Sequence, residues 1–362
     1  MSDRRADRLA ALTSGLTANH LDGLLLSGLP NIRYLTGFSG SNALALVTPK
    51  QVYLITDFRY KTQLADEVGH HASVVIEPQS LWTGLWRVMG SLPQMDVAGF
   101  ESAHLLHRDF QRLLDAGARW QWRPTTDLVE TLRERKDAGE LALITAAAAV
   151  ADRALGRTLP QLAAGMTELQ IAGILEKMLR DEGSEGFPFP SIVASGARAA
   201  LPHARSSRKV VERGELLLLD FGAEVGGYCA DITRTVVIGT ATGEQREIYA
   251  IVREANELAS SGVRAGMRGR DADAIARSYI ERQGYGEAFG HSLGHGLGLE
   301  VHEAPRLART ADAPLVPNSV VTIEPGIYRA GWGGIRIEDD VHLGPSGPEM
   351  LTHFTRELAE VA

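Results

Sequence analysis

Residues 216–239 read LLLLDFGAEVGGYCADITRTVVIG, and this stretch decides the fold. Two apolar runs flank Glu224-Val225-Gly226-Gly227, a short glycine-containing turn, so the segment predicts a β-hairpin. Pairing the strands about the Val225/Gly226 midpoint predicts Asp220 directly opposite Asp231, eleven residues along. Directly opposed β carbons lie ~5 Å apart, and like charges placed there repel. Two carboxylates in an apolar sheet need either a shared proton or a cation. Further ligand-type side chains downstream favour the cation.

Working outward, the same plan occurs twice. Helical patterns near 138–158 and 168–183 precede the first hairpin, and helical patterns near 243–262 and 271–284 precede a second apolar pair. That second pair is VVTIEPGIY and GGIRIEDDVHL, joined by a longer loop with Gly331, Gly333 and Gly334. Thr167 with Gln170, and Thr242 with Gln245, each predict a capping box that opens a helix. Asp220 and Asp231 are echoed by Glu324 and Glu338, one acid on each strand of the second pair. An internal pseudo-twofold would bring the four carboxylates into one cup of sheet.

Upstream, an amphipathic helix is expected over 3–18, with Leu9, Leu12 and Leu16 at helical spacing. LDGLLL, ALALVT, VYLIT, ASVVIE and VAGFE read as strands, with helices around 80–90 and 104–116. This predicts an α/β domain of its own with a central sheet. At ETLRERKDAGE the pattern changes, giving expected domains of 1–133 and 134–362.

Bulk properties narrow the function. A chain of 362 residues suits two domains, and 44% hydrophobic with 23% charged residues is ordinary for a water-soluble globular protein. A formal charge of -8 argues against a nucleic-acid binder. No apolar run approaches the ~20 residues of a membrane span, and the N-terminus does not read as a signal peptide, so a cytoplasmic protein without membrane partners is expected. The single cysteine, Cys229, allows no internal disulfide and reads as a small buried hydrophobe beside the acids.

Between the hairpins lies GHSLGHGLGLEVHE, which places His291, His295 and His302 within fourteen residues. Its glycines argue against a helix, so a zinc helix of the HExxH kind is the wrong pattern; a Gly-rich strand or loop leaves imidazoles free to face a cavity. Four carboxylates and one imidazole are too many for a tetrahedral zinc site. They suit two divalent ions sharing bridging carboxylates, a site that activates water for hydrolysis. The oxygen-rich donor set leans toward manganese, with cobalt, iron and zinc as alternatives.

LLLLDFGA, YCADITRTV, GHGLGLEVHE, TIEPGIY and GGIRIEDDV resemble, in order, the motif set of the pita-bread metallopeptidases, and within them the proline-specific branch of aminopeptidase P and prolidase. RYLTGFSGSNALALVT and ITDFRY resemble that branch's creatinase-type N-terminal domain. The resemblance implies an N-terminal α/β domain followed by a pita-bread α+β catalytic domain. It implies that Asp220 holds one metal, His295 and Glu324 the other, and that Asp231 and Glu338 bridge them. It assigns Glu324 as general base, His302 as stabiliser of the tetrahedral intermediate, His291 to the proline side and His203 to the leaving group. Arg336 would orient the acids, with Tyr328 bordering the site. The family also implies proline-containing peptide substrates and a homodimer. One departure stands out: Arg198 occupies a position in SGARAALPH where relatives often carry Asn.

The expected activity is release of the N-terminal residue from Xaa-Pro peptides, with a prolidase restricted to Xaa-Pro dipeptides as the alternative. For such a prolidase, Arg59 and Arg336 are the candidates to recognise the substrate carboxylate. A noncatalytic binding module of the same fold, like a metal-free amidine hydrolase, predicts eroded ligands, and all five ligand positions are intact.

Overall fold

The structure is a computed structural model that describes residues 4–116 and 119–362. It divides into two compact units, the first ending at Arg133 and the second running from Glu134 to Ala362. Among the described residues, no helix is long and apolar enough to cross a membrane.

In the first unit a six-stranded mixed sheet runs in the order Ser73–Ile76, Val52–Thr56, Ala43–Val47, Gly23–Leu26, Val97–Glu101, Gln121–Thr125. Gly23–Leu26 lies at its centre and is buried throughout, as expected of a strand covered on both faces. The edge strand Gln121–Thr125 escaped the sequence reading. It is mostly exposed and contains Pro124, features that belong to a sheet edge and weaken the apolar signal.

The second unit is built on the hairpin of Leu216–Val225 and Tyr228–Ile238. Side chains alternate across it. Leu217, Leu219, Phe221 and Ala223 share a core with Ile144, Ala147, Ala151 and Leu155 of the helix Ala138–Thr158. Burying each large aliphatic side chain contributes roughly 1.5–3 kcal/mol, and a slip of one residue would forfeit all of them. The even-numbered residues, Asp220 among them, therefore face away from the helix layer. On the return strand Asp231, Thr233 and Thr235 do the same.

The register corrects one expectation. Gly226 and Gly227 have φ of +57° and +75°, the left-handed pair of a two-residue hairpin turn. Val225 therefore pairs with Tyr228, Asp220 with Thr233, and Asp231 with Gly222. Asp220 and Asp231 are diagonal neighbours on one face, with backbones about 7–8 Å apart rather than directly opposed. The glycine opposite Asp231 is required, because a Cβ on Gly222 would lie 2.2 Å from the Ala230 carbonyl oxygen.

The helices Gly243–Gly262 and Gly269–Arg282 cover the second strand pair in the same way. Ile248, Val252, Ala255 and Ile280 pack with Val321, Ile323, Ile335 and Ile337. Both expected capping boxes are present, at Thr167 with Gln170 and Thr242 with Gln245. A third, Asp137 with Glu140, opens the Ala138–Thr158 helix.

The second strand pair splits. Val320–Ile323 pairs with Asp339–Gly344, and Gly326–Arg329 pairs with Gly333–Arg336 in a separate two-stranded ladder. Glu324 and Pro325 fall in the break, where proline has no N–H to offer a ladder. Glu338 lies across from Glu324 in the continuing register. Instead of pairing there, the Glu338 amide donates to the Thr233 carbonyl at 3.1 Å, which joins the two hairpins.

Candidate active site

The two hairpins and the glycine-rich strand Gly294–Gly296 bring Asp220, Asp231, His295, Glu324 and Glu338 together. One ligand atom from each of Asp231, His295 and Glu338 fits within a sphere of mutual distances of 4.8 Å. His295 Nε2 lies 3.4 Å from Glu324 Oε1 and 3.9 Å from Asp231 Oδ2. Its Nδ1 is 3.1 Å from the Gly296 carbonyl oxygen, which can only accept, so Nδ1 carries the proton and Nε2 keeps its lone pair.

The electrostatics mark the acids as incompatible with one another in the absence of a cation. Burial first, and then the charges of Glu338, Asp220, Asp340 and Glu324, raise Asp231 well above the usual carboxylate range. Glu324 is raised by burial and then by Glu338. Burial and Asp220 push Glu338 up to about 8. Asp220 is also raised by burial, opposed by the adjacent Arg336. Asp231 Oδ1 is buried and accepts no hydrogen bond. A buried carboxylate oxygen in that state costs free energy unless a proton or a cation satisfies it. Four converging carboxylates, an imidazole with a free lone pair and an orphaned oxygen fit a site for divalent metal.

The surrounding side chains hold these groups in place. Thr233 lies two residues beyond Asp231 and so on the same face; its hydroxyl donates to Glu338 Oε2 at 2.5 Å and accepts from Arg336 Nε at 3.0 Å. Thr322, two residues before Glu324, accepts from the His295 amide at 3.1 Å and donates to Glu324 Oε1 at 3.3 Å. Asp-x-Thr and Thr-x-Glu are period-two signals that the sequence reading passed over. Arg336 reaches Asp220 Oδ2 with Nη2 and the Tyr328 hydroxyl with Nη1 at 2.8 Å. Tyr328 also meets His291 Nε2 at 2.8 Å, so Asp220, Arg336, Tyr328 and His291 form one chain of contacts.

The His302 ring lies tilted against that of His295, with centroids 4.4 Å apart. Burial holds His291 and His295 down to about 4, so both are neutral near pH 7. His203 is on an exposed loop, close enough for its charge to act on Asp220, His291 and His302. Asp339 is not at the cavity face; it binds Arg234, Thr352 and Arg356. Asp340 receives the Asp231 amide at 3.0 Å. Cys229 is buried, and burial pushes its thiol up, away from the thiolate that binds metal.

One cation near the site was missed. Arg306 pairs with His295 across the ladder of Gly294–Gly296 and Glu303–Leu307. Its charge acts on both His295 and His302, and among the described residues it has no ion-pair partner. The strand Glu303–Leu307 is only five residues long and carries Pro305 at its middle, which hides it as a strand in the sequence. Arg336 is fully engaged by Asp220, Tyr328 and Thr233, and Arg59 is bidentate on Asp57 in the first unit.

A second ligand-type cluster lies in the first unit, where Glu101, His104 and Glu130 converge. Its atoms are already matched: the Asn31 amide donates to both glutamates at 2.6 Å, and His104 meets Glu130 at 2.8 Å. Glu101 further accepts the amides of Ser27 and Gly28, a structural network rather than an open site.

Comparison with known proteins places the chain in a family. Residues 142–345 match metallopeptidase family M24, and residues 8–135 match the Creatinase/Prolidase N-terminal domain. An Xaa-Pro dipeptidase of Pyrococcus horikoshii is 34% identical over 97% of this chain and 98% of its own length. Among solved structures, an Xaa-Pro dipeptidase from Bacillus anthracis superposes with a TM-score of 0.95 at 39% identity, covering 99% of this chain and 100% of that one. An X-Pro aminopeptidase from Thermotoga maritima gives 0.91 at 40% identity, with 99% and 100% covered. The chain therefore belongs to metallopeptidase family M24, with a creatinase/prolidase-type domain preceding a pita-bread catalytic domain.

Proposed function

We propose that this chain hydrolyses the peptide bond that precedes proline, releasing the N-terminal residue of Xaa-Pro substrates. The observation that carries the reading is the approach of Asp231, His295 and Glu338 to within ligand distance of one another, with Glu324 against His295, Asp220 close enough to act on Asp231, and Asp231 Oδ1 buried without a partner. These five residues would hold two divalent ions, with manganese favoured by the oxygen-rich set. When bound, the ions supply Lewis-acid polarisation of the scissile carbonyl and lower the pKa of water. The proline preference is supported by the relatives, named as acting on Xaa-Pro or X-Pro substrates.

The chain's own groups divide the remaining work. Glu324, between His295 and His291, is placed to accept a proton and pass it toward the leaving amine. His302, beside His295 and partly open to solvent, would donate to the oxygen on which charge develops. Arg336 and Tyr328 fix Asp220 and His291 relative to one another, which keeps the wall of the site rigid. His203, on its exposed loop, would assist at the leaving group.

Restriction to dipeptides is a second reading, favoured by Arg306. Its unpaired guanidinium beside the catalytic histidines suits the free carboxylate of an Xaa-Pro dipeptide. Turnover of Xaa-Pro, Xaa-Pro-Yaa and Xaa-Ala by wild type and Arg306→Ala separates the alternatives. A dipeptidase should lose dipeptide KM in the variant and ignore tripeptides throughout; an aminopeptidase should cleave tripeptides with or without Arg306. Equal cleavage of Xaa-Ala and Xaa-Pro would sink the proline reading.

A further inference from the structure

The loop that carries His203 is tied down by residues outside the metal site. Glu168, the first residue of the helix Glu168–Asp181, is completely buried. One of its oxygens accepts the Ser195 amide at 2.9 Å and the Ser195 hydroxyl at 3.1 Å. The other accepts the Ser207 amide at 3.1 Å and the Ser207 hydroxyl at 2.6 Å. Glu168 thus pins both ends of the 195–207 loop.

Arg198 spans the loop between those ends. Its Nε lies 3.1 and 3.2 Å from the two Glu168 oxygens, and its Nη2 donates to the Arg205 carbonyl at 2.6 Å. A planar guanidinium can hold both partners at fixed separation, which a lysine ammonium cannot do in the same way. Between the two anchors stand Leu201, Pro202 and His203. The Pro202 carbonyl is 3.5 Å from Arg336 Nη1, so the tip of the loop touches the residue that holds Asp220. At its base the loop lies flush on the second hairpin: a Cβ on Gly334 would stand 2.1 Å from the Ala199 carbonyl oxygen.

From this geometry we infer that Arg198 is a positioning residue, a brace between Glu168 and the Arg205 carbonyl that sets His203 over the reaction site. The inference rests on the proposed Xaa-Pro hydrolysis for its activity readout, and on the loop alone for its structural one. It also gives a purpose to the one position where the sequence departs from its resemblance.

The test is Arg198→Lys, made in the wild type and in His203→Ala. Lysine keeps a cation against Glu168, which Ser195 and Ser207 also satisfy, so the fold is expected to hold. It removes the donor to Arg205. In the metal-loaded protein, Arg198→Lys should lower kcat/KM on an Xaa-Pro peptide about tenfold, the scale of a coupled pair, and should cost nothing further once His203 is alanine. Hydrogen exchange should quicken for amides within 199–206 and stay unchanged in the Gly243–Gly262 helix. An equal loss in the His203→Ala background, or unaltered exchange in the loop, overturns the inference. If wild type cleaves no Xaa-Pro peptide, the functional reading fails, while the exchange measurement still decides the brace.

Discussion

Removing the metal should make this protein's stability fall as pH rises, a direction set by the buried acids. The group to follow is Glu338, pushed up to about 8 in the folded, metal-free site from an ordinary 4.5. A carboxyl with a raised folded pKa binds its proton more tightly in the native state than in the unfolded chain. Native stability is therefore lost as pH climbs from the unfolded value to the folded one. The histidines act in the opposite sense, since His291 and His295 are held down to about 4 from 6.5. Their contribution grows between those values and is complete above about pH 6.5. From pH 6.5 to 8, then, only the acids contribute. A group with its folded pKa at about 8 is half ionised at the top of that window, so it alone costs about 1.6 kcal/mol at about 1.4 kcal/mol per pH unit. Asp231 and Glu324, raised in the same direction, add to it. Urea unfolding of chelator-treated protein at pH 6.5 and pH 8 should show a loss of at least about 1.6 kcal/mol, and saturating Mn²⁺ should abolish the difference. Metal-free protein that is equally stable at both pH values, or steadier at pH 8, would refute the reasoning.

Other outcomes follow from the same contacts. Asp231→Ala should remove the proposed bridging ligand and nearly all activity; wild-type turnover with Mn²⁺ present would refute that role. His302→Ala should fold and bind metal yet turn over roughly 100-fold more slowly, the scale for losing a donor to developing charge; steady-state kinetics checks it. Thr233→Val keeps the shape but leaves Glu338 and Arg336 each short of a buried partner. Its expected cost is about 2–5 kcal/mol in chemical denaturation, with weakened metal binding by calorimetry.

Much of this architecture could be read from the chain, because local rules and global fold agree there. Thr167 with Gln170 and Thr242 with Gln245 announce their helices, and the alternation of LLLLDFGA separates Asp220 from the leucines that face the helix layer. The hairpin register differs by two residues from a pairing that counts Glu224-Val225 as turn, because Gly226 and Gly227 alone close it. What the sequence conceals is non-local. Nothing near Arg306 indicates that its strand will pair with His295, and nothing near Arg198 indicates Glu168, thirty residues earlier. The split of the second strand pair at Glu324-Pro325 has one local signal, the proline that cannot donate to a ladder. Short proline-containing strands such as Gln121–Thr125 and Glu303–Leu307 are defined by their neighbours more than by themselves.

Whether the clustered acids form a working metal pair is decided by metal content measured together with Xaa-Pro cleavage, before and after exhaustive chelation and again on adding Mn²⁺. Close to two divalent ions per chain are expected in the active protein, with cleavage lost when they are removed and restored on their return. Full cleavage by the stripped protein, or a metal-loaded protein inert toward every Xaa-Pro peptide, would contradict it.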